Sequence, residues 1–194
     1  MDKSKAEKIR VLDVGSGDSE ATRQLWAGAD VVRVDLNPDT EPDVVADVRA
    51  LPERLGEFDV IFASHILEHL ARLEVLPTLR HWAGYLRPGG ALHVLAPDIM
   101  WAAEEIVRTG QVSIPVMMHI YGSQQDELET HRVGFTVALL RAAMAQAGLE
   151  VIHATVGPYQ IVMNRDDGER ETVEARQIYV MGRRPEEESS GQDA

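Results

Sequence analysis

The chain has 194 residues, 44% of them hydrophobic and 26% charged, with a formal net charge of −13 and no cysteine. That length suits one well-buried core and is too short for two ordinary domains, and the missing cysteine excludes a disulfide framework, a thiolate metal site and a thiol nucleophile. The acidic balance argues against nucleic acid, which needs cations along its phosphates; no apolar run approaches a bilayer span, and the charged opening Met1 to Lys8 has no apolar signal core, so a cytoplasmic protein without a membrane partner is expected.

Residues 9–14 read as a first strand that runs into Gly15-Ser16-Gly17, where backbone angles closed to other residues let a ligand approach the main chain. A dinucleotide loop would carry a third glycine where Glu20 stands, and Asp18 and Glu20 would repel a diphosphate. A cationic, phosphate-free cofactor such as S-adenosylmethionine fits better, with Asp13 placed to attract its positive end. A helix is expected over Glu20 to Ala27, then a second strand Val31 to Val34. Asp35 follows about 20 residues past the first glycine, the separation of one strand-helix-strand unit.

Further strands are expected at Asp43 to Ala46, Phe58 to Ala63 and Ala91 to Leu95. Leu67, Leu70, Leu73, Leu76, Leu79 and Trp82 recur at threes, as on an amphipathic helix that Pro77 starts or interrupts. Residues 97–134 form the longest stretch without strand pattern and are read as a cover over the site. Val137, Leu140, Met144 and Ala147 give a later helix stopped by Gly148. Leu149 to Val156 and Glu174 to Met181 complete the strands, and 185–194 read as a disordered acidic tail. The alternation predicts an α/β fold, a parallel sheet covered on both faces.

Taken in order, these segments resemble the class I S-adenosylmethionine-dependent methyltransferases, in particular small bacterial type-11-like members. The resemblance implies a single Rossmann-like domain over 1–184, with a mostly parallel seven-stranded sheet whose last strand runs antiparallel and inserts beside the sixth. It also implies that Asp35 accepts the ribose hydroxyls, that Leu36 lies beside the adenine, and that Asp47 and the amide of Val48 read the adenine edge. The backbone near Ser64 would face the methionine moiety, and Leu86 to Val94 would turn through Gly89-Gly90 into the fifth strand. Asp13, Gly15, Ser16, Gly17, Asp35, Leu36, Asp47, Val48, Ser64 and His65 are thus the expected cofactor residues. Ser19 departs from the pattern, since many relatives carry a third glycine there. Singly, each piece also has a plain explanation: a tight turn, a helix cap, a reverse turn.

His65-Ile66-Leu67-Glu68-His69 also fits a zinc-peptidase motif, but its place after the fourth strand favours a structural role for Glu68 and His69, with His65 facing the pocket. Methyl transfer requires an acceptor aligned with the methyl carbon and able to lose its proton. His65, His119, Tyr121 and His131 are the expected acceptor-side residues, because the cover segments His119 to Gly122 and His131 to Thr136 mix titratable and aromatic groups. Asp126, Glu127, Glu129 and His131 could hold a divalent cation, yet a solvated acidic loop is preferred, and no metal is expected. The reading is O-methylation of a small glycan-related or secondary-metabolite acceptor, releasing S-adenosylhomocysteine; a homodimer is compatible with it. The competing readings are a non-catalytic S-adenosylmethionine-binding partner and a nicotinamide-binding protein.

Overall fold

Short apolar stretches separated by glycine and proline assemble into one seven-stranded sheet in the order β3-β2-β1-β4-β5-β7-β6. The computed structural model describes residues 8–17, 24–164 and 169–186. Its strands are β1 Arg10–Val14, β2 Asp30–Asp35, β3 Val44–Val45, β4 Phe58–Ser64, β5 Leu86–Pro97, β6 Glu150–Asn164 and β7 Arg170–Arg183. Neighbours from β3 to β5 pair parallel, while β7 runs antiparallel to both β5 and β6. The sheet centre is buried on both faces, so β1 reads as a nearly unbroken apolar run, with Val11, Leu12 and Val14 fully buried. Among the described residues, besides the helical 24–25, four helices flank it: α1 Arg72–Ala83, α2 Ile99–Thr109, α3 Ile114–Tyr121 and α4 Val137–Gln146. None of the described helices is long and apolar enough to cross a membrane.

Several boundaries differ from expectation for identifiable reasons. The turn at Gly89-Gly90 is an irregularity inside β5, which begins at Leu86 and shifts register against β4 between Phe58 and Val60. A Cβ on Gly90 would meet the carbonyls of Arg87 and Asp59 at 2.9 and 3.0 Å, so only glycine lets the strands approach there. Leu67 and Leu70 do not belong to α1. Residues Leu67–His69 form a 3₁₀ turn, and α1 starts at Arg72, where the Glu74 carboxylate reaches back to accept from the Ala71 amide at 2.8 Å. Pro77 neither starts nor interrupts α1. The carbonyl it frees belongs to Leu73, which is 73% exposed and open to water. Gly148 follows the end of α4 with φ +91°, as a helix-terminating residue.

The largest departure is at the C-terminal hairpin. β6 and β7 stay paired from Glu150↔Arg183 to Asn164↔Arg170, whereas β5 leaves β7 at Pro97↔Gln177. Beyond that point the ribbon runs on past the sheet. Ile161 and Ala175 on it pack with Trp101, Ala102 and Val116 of α2 and α3 in a second apolar cluster. The cover expected over 97–134 therefore contains two helices clamped by a β-ribbon. The first half, 20–23, of the helix expected over 20–27 lies outside the described residues, as do Asp18, Ser19 and 187–194 of the expected tail; 24–25 are helical and 26–27 form a turn.

Candidate active site

The C-terminal ends of β1, β2 and β4 converge on one edge of the sheet. Gly15 and Gly17 leave β1 with φ +66° and +52°, and the Gly15 amide donates to the Val34 carbonyl at 2.8 Å. A Cβ on Gly15 would lie 2.7 Å from Ile66, so the loop after β4 packs directly on the first glycine. Asp35, at the end of β2, accepts the amides of Gly17 and Asn37, each at 2.8 Å, one on each carboxylate oxygen. Here a cavity of about 160 Å³ opens, lined by Gly15, Asp35, Leu36, Asp47, Val48 and Ile66 among others. Asp47 is held by the Arg49 guanidinium at 2.6 Å, and hydrogen bonding from Arg49 keeps its carboxyl below the usual range. The Val48 carbonyl accepts from the buried Trp82 indole at 2.8 Å, which fixes this wall to the core. Asp13 is only 4% exposed. Burial, the largest effect, pushes it up to about 7; Arg33 lowers it and Asp35 raises it.

A second cavity, of about 330 Å³, lies beside the first and is lined by His65, Glu68, His69, His119, His131 and Tyr159 among others. His69 is in the wall of both. His65 leaves β4 with φ +54°, an uncommon conformation for a residue with a side chain. Its ring stacks on Tyr159 with centroids 4.5 Å apart. Nε2 lies 2.9 Å from Gln177 Oε1 and Nδ1 lies 3.2 Å from Glu68 Oε1, so both ring nitrogens are engaged. Burial penalises charge on both members of this pair, but their mutual attraction outweighs it: His65 is held above the ordinary histidine range and Glu68 below the carboxylate range.

His119 is 3% exposed, and its Nε2 lies 3.0 Å from the Asp98 carbonyl. A carbonyl only accepts, so Nε2 carries the proton and Nδ1 keeps a lone pair, which has no hydrogen-bond partner among the described residues. Burial pushes His119 down to about 4. By the same logic Nδ1 of His131 donates to the His119 carbonyl at 3.1 Å, leaving Nε2 free; burial lowers this ring too. Tyr121 is half exposed and outside the cavity wall.

Residues 2–154 match a family model described as a methyltransferase domain. The chain belongs to this methyltransferase family. No curated protein matches the chain by sequence. Among solved structures it is similar to an S-adenosylmethionine-dependent methyltransferase from Methanosarcina mazei, at 14% identity and a TM-score of 0.65, covering 93% of this chain and 94% of that one. It also resembles the N-methyltransferase NodS from Bradyrhizobium japonicum in complex with S-adenosylhomocysteine, at 14% identity, a TM-score of 0.59 and coverage of 94% and 81%. A third is the 1,6-didemethyltoxoflavin-N1-methyltransferase of Burkholderia thailandensis, at 17% identity, a TM-score of 0.57 and coverage of 93% and 72%.

The protein is therefore a class I methyltransferase with S-adenosylmethionine as methyl donor, not a nicotinamide-binding protein. The residues present fit that donor. A glycine cradle, the Asp35 carboxylate and the apolar side chains of Leu36 and Val48 share one small cavity, while buried Ser16 has a hydroxyl with no partner among the described residues. Asp13, Ser16, Gly17 and Ser64, also expected here, sit at the ends of β1 and β4 and not in the cavity wall.

Of the residues expected on the acceptor side, the second cavity brings together His65, His119 and His131 and leaves Tyr121 outside. Tyr159 and Gln177 escaped sequence reasoning because they lie on the ribbon. Its alternation of Tyr159, Ile161 and Met163 was the available signal, read as ending at Val156.

Proposed function

We propose that this methyltransferase transfers the methyl group to a hydroxyl of a small molecule, of the glycan-related or secondary-metabolite class, seated in the histidine-lined cavity. The observation that carries this reading is His69, one side chain shared by the wall of the donor cavity and that of the acceptor cavity. When bound, S-adenosylmethionine supplies an electrophilic methyl on a sulfonium, and the protein's remaining task is to place a nucleophile in line and exclude water.

The histidines suit a hydroxyl. His119 and His131 are neutral rings at physiological pH, and His131 keeps an Nε2 lone pair that receives an O–H. Neither these two rings nor His65 is a base of ordinary strength. His119 and His131 are weakened by burial, and His65 has both nitrogens engaged. Placement therefore carries the reaction: the O–CH3 bond forms as the S–CH3 bond breaks, and the hydroxyl proton, strongly acidic once the oxygen is alkylated, passes to His131 Nε2 and on to solvent, with His65 and Tyr159 as a stacked floor.

Carbon-labelled methyl donor incubated with fractionated metabolite extracts tests this. The chemical shift of the transferred methyl reports the atom that received it. An O-methyl signal is expected; an N-methyl product, like those of the two N-methyltransferases above, or a C-methyl product overturns the assignment.

A further inference from the structure

We propose that Glu68, His69 and His131 form a binding site for a divalent first-row transition-metal ion. One ligand atom from each of the three lies within 4.8 Å of those of the other two, a spacing that a single ion can bridge. The inference departs from the metal-free expectation, and from the acidic loop that was weighed for a cation. Asp126 does not join the cluster, since its Oδ1 accepts the amides of Leu128 and Glu129 at 2.7 and 3.1 Å as an ordinary turn.

Hydrogen bonding orients both imidazoles for ligation. His69 Nδ1 lies 3.3 Å from the Thr130 carbonyl and His131 Nδ1 lies 3.1 Å from that of His119. Each ring must donate to its carbonyl, which places the proton on Nδ1 and the lone pair on Nε2. Metal-ligating histidines are commonly fixed in this way by a backbone carbonyl behind the ring. The two rings meet edge to face, with centroids 4.9 Å apart.

Glu68 supplies the independent sign. It is 1% exposed; Oε1 is paired with the His65 ring at 3.2 Å, while Oε2 has no hydrogen-bond partner among the described residues. A carboxylate oxygen left without a partner is expensive to bury. The His65 ring offsets part of its charge from the side of Oε1, which leaves Oε2 available. The site is also built across the fold, because the Glu68 carbonyl accepts the amides of Arg132 and Val133 at 2.7 and 3.2 Å and pins the loop that presents His131.

Two imidazoles and one carboxylate are a borderline nitrogen and oxygen set that suits zinc, iron, cobalt or manganese better than calcium. Three protein ligands leave coordination positions open, and the residues line the 330 Å³ cavity. A bound ion would therefore face the acceptor and polarise an oxygen ligand on it, in place of the hydrogen bond from the hydroxyl to His131 Nε2; that consequence rests on the acceptor reading above, whereas metal binding itself does not. The arrangement is not that of a zinc peptidase. His65, the first histidine of the motif, turns instead to Gln177 and Tyr159.

The test uses the full, tag-free chain after chelator treatment, with Zn²⁺ followed by calorimetry and Co²⁺ by visible absorption, without donor or acceptor. We expect one ion per chain, visible Co²⁺ bands of a nitrogen-ligated ion, and a melting temperature that rises with Zn²⁺. Glu68→Gln and His131→Ala should each weaken affinity by roughly 100-fold. If a variant does not fold, the wild-type spectrum and melting shift decide. Absence of stoichiometric binding, a spectrum of hydrated Co²⁺ only, or unchanged affinity in both folded variants overturns the site. An N-methylated product would overturn the acceptor reading and leave this result standing.

Discussion

The amide of Gly17 donates to Asp35 Oδ2 at 2.8 Å, joining the glycine loop after β1 to the acid at the end of β2. One side chain thus holds the loop, through Gly17, and the next turn, through Asn37, while it stands in the donor cavity.

Replacing Asp35 by Ala should cost cofactor affinity twice over, by removing a ligand contact and by releasing the loop. Hydrogen bonds to a charged group contribute about 1.5–3 kcal/mol each, so S-adenosylhomocysteine should bind at least roughly 100-fold more weakly by calorimetry. Affinity within threefold of wild type would show that Asp35 is not in the donor site.

Asp13, buried at the end of β1, should make stability depend on pH, and donor affinity through its charge. Burial raises it to about 7 in the folded protein against 3.8 in the unfolded chain. Between those values the folded state holds more protons, so stability should fall as pH rises through the window and level off above it. A cationic donor favours the ionised acid, so S-adenosylmethionine should bind more tightly as pH climbs through about 7. Asp13→Asn should flatten both profiles, measured by denaturant melts and calorimetry across pH; parallel slopes in variant and wild type would count against this role.

Gly15 is constrained both by a left-handed φ and by Ile66 only 2.7 Å from where a Cβ would stand. Gly15→Ala should destabilise the fold by about 1–3 kcal/mol from strain and overpacking. Adding Ile66→Ala should relieve the clash while leaving the backbone strain, so the double variant should melt above the sum of the two single effects. Strict additivity would mean that the two residues do not touch.

Trp82 is fully buried, and its indole donates to the Val48 carbonyl at 2.8 Å. Trp82→Phe keeps most of the packing but orphans that carbonyl, for a loss of about 1–3 kcal/mol in denaturant melts. Because Val48 lines the donor cavity, donor affinity should fall as well. Loss of stability with unchanged affinity would confine Trp82 to the core.

Tyr159 stacks on His65 at 4.5 Å in the acceptor cavity. Tyr159→Ala should raise the acceptor KM by roughly tenfold, the scale of one aromatic contact, with donor affinity unchanged. A fall in kcat at constant KM would point instead to a role in the transition state.

The sequence by itself determined the chain order of the sheet elements and brought out Gly15, Asp35, Leu36, Asp47 and Val48 of the donor wall, because both are written in short segments. Apolar runs ending in Gly15, Asp35 and Asp47 are local patterns, and each strand end delivers its own side chain to the same sheet edge. Sequence reasoning names His65, His119 and His131 as acceptor-side residues, but only tertiary structure joins them in the second cavity to Glu68, His69 and Tyr159 and leaves Tyr121 out. Glu68 and His69 come from a 3₁₀ turn, His119 from α3, His131 from the loop beyond it, and Tyr159 from the ribbon. No periodicity links these residues. What brings them together is long-range: the Glu68 carbonyl pinning Arg132 and Val133, and the β6–β7 ribbon packing on Trp101 and Val116. The motif at 65–69 shows the difference most sharply. Helical spacing would put His65, Glu68 and His69 on one face, but the left-handed φ at His65 sends its ring to Gln177 and leaves His131 to stand beside His69.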